Sequence, residues 1–391
     1  MTMTDPLDKD ALLRAAAAQV PDADFGSDDF HEPLSVFLDA LRGEAQLEPM
    51  GVWATVTRVM ASLTKRRKLA RLLAREPAIA ERPIEAPVFV LGFPRTGTTM
   101  LHNLLASDPA SRAIRLWEMR EPFAPEDAPA DWKEQVIATT EQLVKAGYQL
   151  SPRLEQIHPL RPTWPDECSW LLRNSFSTMV LGFSYFIPSY VQWLNQRDAA
   201  PDYAYFRLQL QAILSQRPGQ PLVLKDPCHI WQLGTLLDTF PDARVIHLHR
   251  DISEVLPSFC SLCRALQEGG ATARSPEAIG AYASDMLETA MDRMIATRAG
   301  LSARDEARIL DLDYRELVGA PLDAMAKIYG HIERPLSAEA TLAMGAWLEG
   351  SRALTGRHRY SLDMFGLDAS ATRARFAAYS ERFSAHLSTA A

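Results

Sequence analysis

The chain has 391 residues, 47% of them hydrophobic and 23% charged, which suits one large globular domain or two modest ones. Its net charge of −8 argues against a broad nucleic-acid surface, which needs a concentrated positive field, but is compatible with a local basic pocket for a small anion. Four cysteines at this length do not make a disulfide scaffold.

The amino terminus, MTMTDPLDKDALLR, is charged from the start and lacks the apolar core of a secretory signal, so a cytoplasmic protein is expected. Residues 1–84 form a helical extension, since ALLRAAAAQV, PLSVFLDALRGEAQL and TVTRVMASLTKRRKLARLLARE place apolar residues at helical spacing. Within it, the run Lys65, Arg66, Arg67, Lys68 reads as the solvated face of a helix.

From residue 85 to 391 the texture changes to that of a second region in which strands alternate with helices, the candidate catalytic domain. APVFVLGF, PLVLK, ARVIHLHR and ARILDLDY are short apolar runs bounded by turn residues, and each is followed by a helical pattern. The expected fold is α/β: a P-loop-like, three-layer arrangement with a central parallel sheet flanked by helices. A helical insertion around 120–215 separates the first two of these runs and is a natural place for a pocket. It includes Asn174 to Gln196, an uncharged stretch long enough to span a membrane. Its Ser, Asn and Gln residues and Pro188 make it poor lipid-facing material, so it reads as a buried helix or helix pair. Its aromatic residues, Phe186 and Tyr190 among them, read as core, with part of the set as candidate lining for an apolar acceptor pocket. Cys260 and Cys263 have CxxC spacing but no second pair to complete a metal site, and read as small core residues one helical turn apart.

Ligands of open α/β sheets bind outside the carboxyl ends of the strands, which directs attention to residues after Phe93, Leu224, His249 and Asp313. Gly92 to Thr99, GFPRTGTT, has the spacing of a Walker A loop with Thr98 where the lysine belongs. Amides of Thr96, Gly97, Thr98 and Thr99 at a helix N-terminus can still cradle a phosphate. The neighbouring strand ends are led by basic residues, Lys225 and Arg250, in place of a magnesium-holding acid. That pattern suits a metal-free transfer in which side-chain cations neutralise charge. In HRDISEVLPSF, Arg250 ends a strand and Ser258 lies on the next helix; Asp251 and Glu254 form a capping pattern, and Pro257 should kink the chain beside Ser258.

These motifs resemble those of the sulfotransferase superfamily, particularly a bacterial family similar to the tyrosylprotein sulfotransferases. PRTGTT resembles the 5′-phosphosulfate loop, and Arg250 with Ser258 resembles the 3′-phosphate site. KDP at Lys225 and the stretch after Tyr314 extend the resemblance, and GRHRYSLDMFGLD resembles a carboxyl-terminal signature whose Arg357 closes over the 3′ end. The resemblance implies transfer of a sulfuryl group from 3′-phosphoadenosine 5′-phosphosulfate to a hydroxyl or amine of a small-molecule or lipid-like acceptor. It assigns donor binding to Arg95, Thr96, Gly97, Thr98, Thr99, Arg250, Ser258, Tyr314 and Arg357, and the catalytic cations to Arg95 and Lys225. For the general base it points to Glu118, in an E-x-R that matches the tyrosylprotein enzymes, with His158, Glu167 and His102 as rivals. His229, His247 and His249 read as structural. The competing readings are a P-loop kinase or triphosphatase, disfavoured by Thr98, and a non-catalytic nucleotide-binding relative.

Overall fold

A computed structural model describes residues 5–216, 219–351 and 360–387. Five parallel strands form the central sheet: β1 (Val88–Gly92), β2 (Arg112–Ala113), β3 (Leu222–Lys225), β4 (Arg244–His249) and β5 (Ile309–Asp313). Their order is β2-β3-β1-β4-β5. β1 therefore lies at the centre, with Phe89 opposite Leu224 on one side and Val245 on the other. All five of its residues are buried, which is why its sequence is a continuous apolar run and not an alternating one. Its side chains still alternate between faces. Phe89 and Leu91 enter one hydrophobic core, while Val88 and Val90 enter the other.

Four of the five strands follow the sequence pattern. The fifth, β2, is a two-residue edge element that pairs with Leu222 and Val223 through Arg112 and Ala113, too short for any periodicity to announce. The amino-terminal helices Lys9–Gln19, His31–Glu44 and Pro49–Arg75 are present as expected. They share the sheet's larger core, since Leu12, Phe37, Leu41 and Val59 belong to the same cluster as Phe89 and Leu91.

The basic run departs from expectation. Lys65, Arg66 and Arg67 are buried instead of forming a solvated face. Arg66 is held between the rings of Phe30 and Tyr205, each 4.1 Å from the guanidinium, and Arg67 donates to the Val20 carbonyl at 3.0 Å. Aromatic faces and carbonyls offset desolvation that water would otherwise prevent.

The uncharged stretch forms two short helices, Met179–Ser184 and Pro188–Gln196, with Pro188 at the start of the second, where its missing N–H costs nothing. Tyr190 is fully buried and its hydroxyl donates to the Phe176 carbonyl at 3.0 Å, which places it in the core. Among the described residues no helix is long and apolar enough to cross a membrane. Cys260 and Cys263 are free and buried on one helix, Ile252–Glu268.

Candidate active site

The loop after β1 turns sharply into the helix Thr98–Ser107. Arg95 and Gly97 both adopt left-handed backbone conformations, at φ 76° and 93°, and Gly97 caps the helix. The Thr96 hydroxyl and amide both bond to the Phe93 carbonyl, at 2.8 and 3.2 Å, and lock the turn. The Thr96 N–H is thus consumed internally, and the cradle is reduced to the amides of Gly97, Thr98 and Thr99 at the helix N-terminus. Gly97 meets two constraints at once: its φ is unfavourable for other residues, and a Cβ there would stand 2.7 Å from the Tyr314 ring. Gly97→Ala should displace loop and ring together, at a cost of about 1–3 kcal/mol, and weaken by about tenfold or more the binding of any phosphate-bearing ligand the loop holds, read in a calorimetric titration.

Arg95, Arg250, Ser258 and Tyr314 converge beside this loop. Arg95 Nε donates to Ser258 Oγ at 3.1 Å and Nη1 to the Ile157 carbonyl at 2.8 Å. Arg250 Nη1 donates to the Arg95 carbonyl at 2.9 Å, and its guanidinium lies 4.2 Å from the centre of the Tyr314 ring. Glu254 accepts from Arg250 Nε and Nη2 at 2.9 and 2.7 Å, so it orients that arginine and does not complete a capping box. Asp251 alone caps the helix, accepting from the Ser253 amide at 2.8 Å. Pro257 lies inside the helix immediately before Ser258. Burial pulls the Arg95 pKa down, and the nearby positive charge of Arg250 pulls it the same way. Two guanidiniums this close favour an anion between or beside them. Arg357 falls outside the described residues.

At the end of β3, Lys225 is 2% exposed, and its ammonium donates to Glu167 Oε1 at 2.7 Å and approaches Thr99 Oγ1 at 3.4 Å. The Cys168 amide bonds to the Lys225 carbonyl at 2.9 Å, which brings the segment carrying Glu167 against the strand end. Burial pushes the Glu167 pKa up, but Lys225, with His158 and Arg173, outweighs it and pulls the carboxyl down to about 2. The adjacent Asp226 is raised to about 7 by burial, with the Glu167 charge adding to the effect. The two carboxyls are thus pushed in opposite directions, Glu167 down by its ammonium partner and Asp226 up by burial and the neighbouring charge.

Glu118 is placed differently from the expectation. Its two oxygens accept from Arg112 at 2.6 and 3.1 Å, and one also caps the helix Leu116–Arg120 through the Arg115 amide at 2.9 Å. With 7% of its side chain exposed and its lone pairs committed, Glu118 anchors a helix and the edge strand β2. His102 lies buried on the loop helix, its pKa lowered to about 3 by burial, with the Lys225 charge acting in the same sense. His229 bonds to the Tyr203 hydroxyl at 2.7 Å, and His249 bridges Tyr379 and Asp311 at 2.9 and 2.8 Å. These contacts tie core elements together, and His247 is buried beside His249.

The donor groups consist of first-turn amides, two guanidiniums, an ammonium and hydroxyls, while carboxylates serve as partners of Arg250 and Lys225. That set fits a ligand with an anion at each end. Residues 87–338 match the sulfotransferase family. The chain belongs to that family. Over 264 residues this sulfotransferase is 27% identical to the omega-hydroxy-beta-dihydromenaquinone-9 sulfotransferase Stf3 of Mycobacterium bovis, a match covering 65% of this chain and 64% of that one. It therefore spans less than two thirds of that relative's length. The solved sulfotransferase STF1 of Mycobacterium tuberculosis H37Rv is 32% identical, with a TM-score of 0.83 over 96% of this chain and all of that one. The sulfotransferase STF9 of Mycobacterium avium is 26% identical, with a TM-score of 0.86 over 98% of each chain.

Proposed function

We propose that this sulfotransferase takes the sulfuryl group of 3′-phosphoadenosine 5′-phosphosulfate and passes it in line to a hydroxyl of a small-molecule or lipid-like acceptor. Arg95 and Lys225 are the neutralising cations, and Glu167 is the general base in place of Glu118. The observation that carries the reading is the Arg95–Ser258 bond, which joins the phosphate loop to the helix after β4. It puts the 5′-side cradle within reach of Arg250 and Ser258, the pair that would hold the 3′-phosphate, with Tyr314 under the Arg250 guanidinium. Lys225 and Glu167 then stand on the acceptor side of the same loop.

The chemistry asked of these residues is limited. As the acceptor oxygen bonds to sulfur and the bond from sulfur to the bridging oxygen breaks, Lys225 and Arg95 offset the charge gathering on the departing phosphate. Glu167 takes the acceptor proton. The named substrate of the Mycobacterium bovis relative, an omega-hydroxylated dihydromenaquinone, supports a lipid-like hydroxyl acceptor.

Adenosine 3′,5′-bisphosphate should bind in the presence of a chelator and more tightly than ATP with magnesium. Arg250→Gln, which loses a charge-assisted contact to the 3′-phosphate, should weaken that binding by about tenfold or more. Tighter binding of ATP with magnesium, in a calorimetric comparison of the two ligands, would return the kinase reading.

A further inference from the structure

We infer that the acceptor carries an oxyanion, a phosphate or carboxylate group, which is received beside Glu167 by a cationic cluster built from Lys65, Arg120 and Arg173. This rests on the sulfuryl-transfer reading above and names the acceptor class of that same site.

Three separate segments supply the cluster. Arg58, Lys65 and Lys68 lie seven and three residues apart on the helix Pro49–Arg75, and so share one face. Arg120 ends the helix Leu116–Arg120, and Arg173 follows Glu167 by six residues. Arg120 and Arg173 both stand over the Trp170 ring, at 5.5 and 4.6 Å from its centre. The indole N–H of Trp170 is turned toward Asp166, at 3.3 Å. The indole lies against the faces of both guanidiniums, and among the described residues no group bonds to their edges.

Counter-charge is scarce there. Lys68 pairs with Glu121, and Glu167 is already the partner of Lys225. Among the described residues Lys65, Arg120 and Arg173 make no ion pair, and Arg173 Nε is buried without a hydrogen-bond partner. Arg58 adds a further positive charge, with its guanidinium donating to the Tyr185 hydroxyl at 3.1 Å. Burial lowers the Lys65 pKa to about 7, and Arg120 lowers it further against the opposing pull of Glu121. Arg120 itself is lowered to about 10, by burial and then by Arg173 and Arg58.

Elsewhere buried cations are paired with acids or, like Arg66 and Arg67, donate to backbone carbonyls. Arg112 has Glu118, and Arg298 has both Glu306 and Asp311. Unpaired buried charge is costly, and a group of like charges more so. Among the described residues Lys65, Arg120 and Arg173 have neither kind of partner, and Arg173 follows the carboxylate proposed as base by six residues. An oxyanion bound there would supply the missing counter-charge and hold a neighbouring hydroxyl toward Glu167.

Matched probes test this: hydroxyhexyl phosphate, hydroxyhexanoate and neutral hexanediol, titrated calorimetrically into the full chain with and without adenosine 3′,5′-bisphosphate. The anionic probes should bind about tenfold or more tightly than hexanediol, with the phosphate and carboxylate arms showing which oxyanion is preferred. The preference should vanish in Lys65→Met with Arg173→Gln. If that pair does not fold, Arg120→Gln alone should at least reduce it. Equal binding of the three probes, no binding of any, or an undiminished preference in the variants overturns the inference. The bisphosphate titrated alone decides the donor reading separately, so failure of one is visible without the other.

Discussion

Lys225→Met should lower kcat by about 10²–10³-fold, the range found when a preorganised charge-stabilising group is removed from a transfer site. Lys225 is buried at the end of β3, and its ammonium lies between Glu167 and the hydroxyl of Thr99, the last residue of the phosphate loop. In the proposed reaction a cation there offsets the charge that develops on the bridging oxygen, and among the described residues no other ammonium or guanidinium bonds to that loop hydroxyl. The substitution also strands a mostly buried carboxylate, so stability should fall by an amount on the order of 3 kcal/mol. Turnover and stability can be separated. Adding Glu167→Gln to Lys225→Met removes the stranded charge and should restore much of the melting temperature, while turnover stays below that of Glu167→Gln alone. A double variant as active as Glu167→Gln alone would remove Lys225 from the reaction and leave it as a packing residue.

Much of the candidate donor side is legible in the sequence as strand, loop and helix because it is local. β1, the loop from Gly92 to Thr99 and the helix behind it are contiguous, so strand, glycine turn and helix start could be read as one unit. Arg250 and Ser258 are likewise joined by a single strand-to-helix step. The acceptor side was less legible because it is assembled across long separations. The E-x-R pattern around Glu118 is a local match, but the nearby Arg112 claims that carboxylate by adding the short strand β2, which no periodicity predicts. Glu167 reaches Lys225 only because the Cys168 amide docks on β3. Lys65 to Arg67 look solvated as a sequence run. Their burial depends on Phe30, Tyr205 and the Val20 carbonyl, contributed by distant segments. Side-chain partners that distant are a tertiary fact, and charge patterning alone does not contain them.

Glu167→Gln and Glu118→Gln should fail in opposite ways. The first should lower kcat by about 10²–10⁴-fold, the usual contribution of a general base, while adenosine 3′,5′-bisphosphate binds with wild-type affinity. A carboxyl held down to about 2 by Lys225 is a weak base as it stands. Its pairing sets when it becomes a better one: if Lys225 turns to the phosphosulfate, Glu167 loses its principal counter-charge, and burial, which already opposes ionisation there, raises its pKa toward the range useful for taking a proton. The same depressed pKa has a stability signature in the free protein. The pair's contribution is present above the ordinary glutamate pKa of about 4.3 and is lost as pH falls through about 2, so the Gln variant should lack that part of the acid-induced loss. Glu118→Gln leaves Arg112 buried beside a neutral amide. It should cost on the order of 3 kcal/mol of stability, yet keep wild-type turnover per folded molecule. The two variants, measured for melting temperature and kcat side by side, thus assign the base. Loss of turnover in the Glu118 variant with none in the Glu167 variant would reverse the assignment and place the proton transfer back on the helix that follows β2.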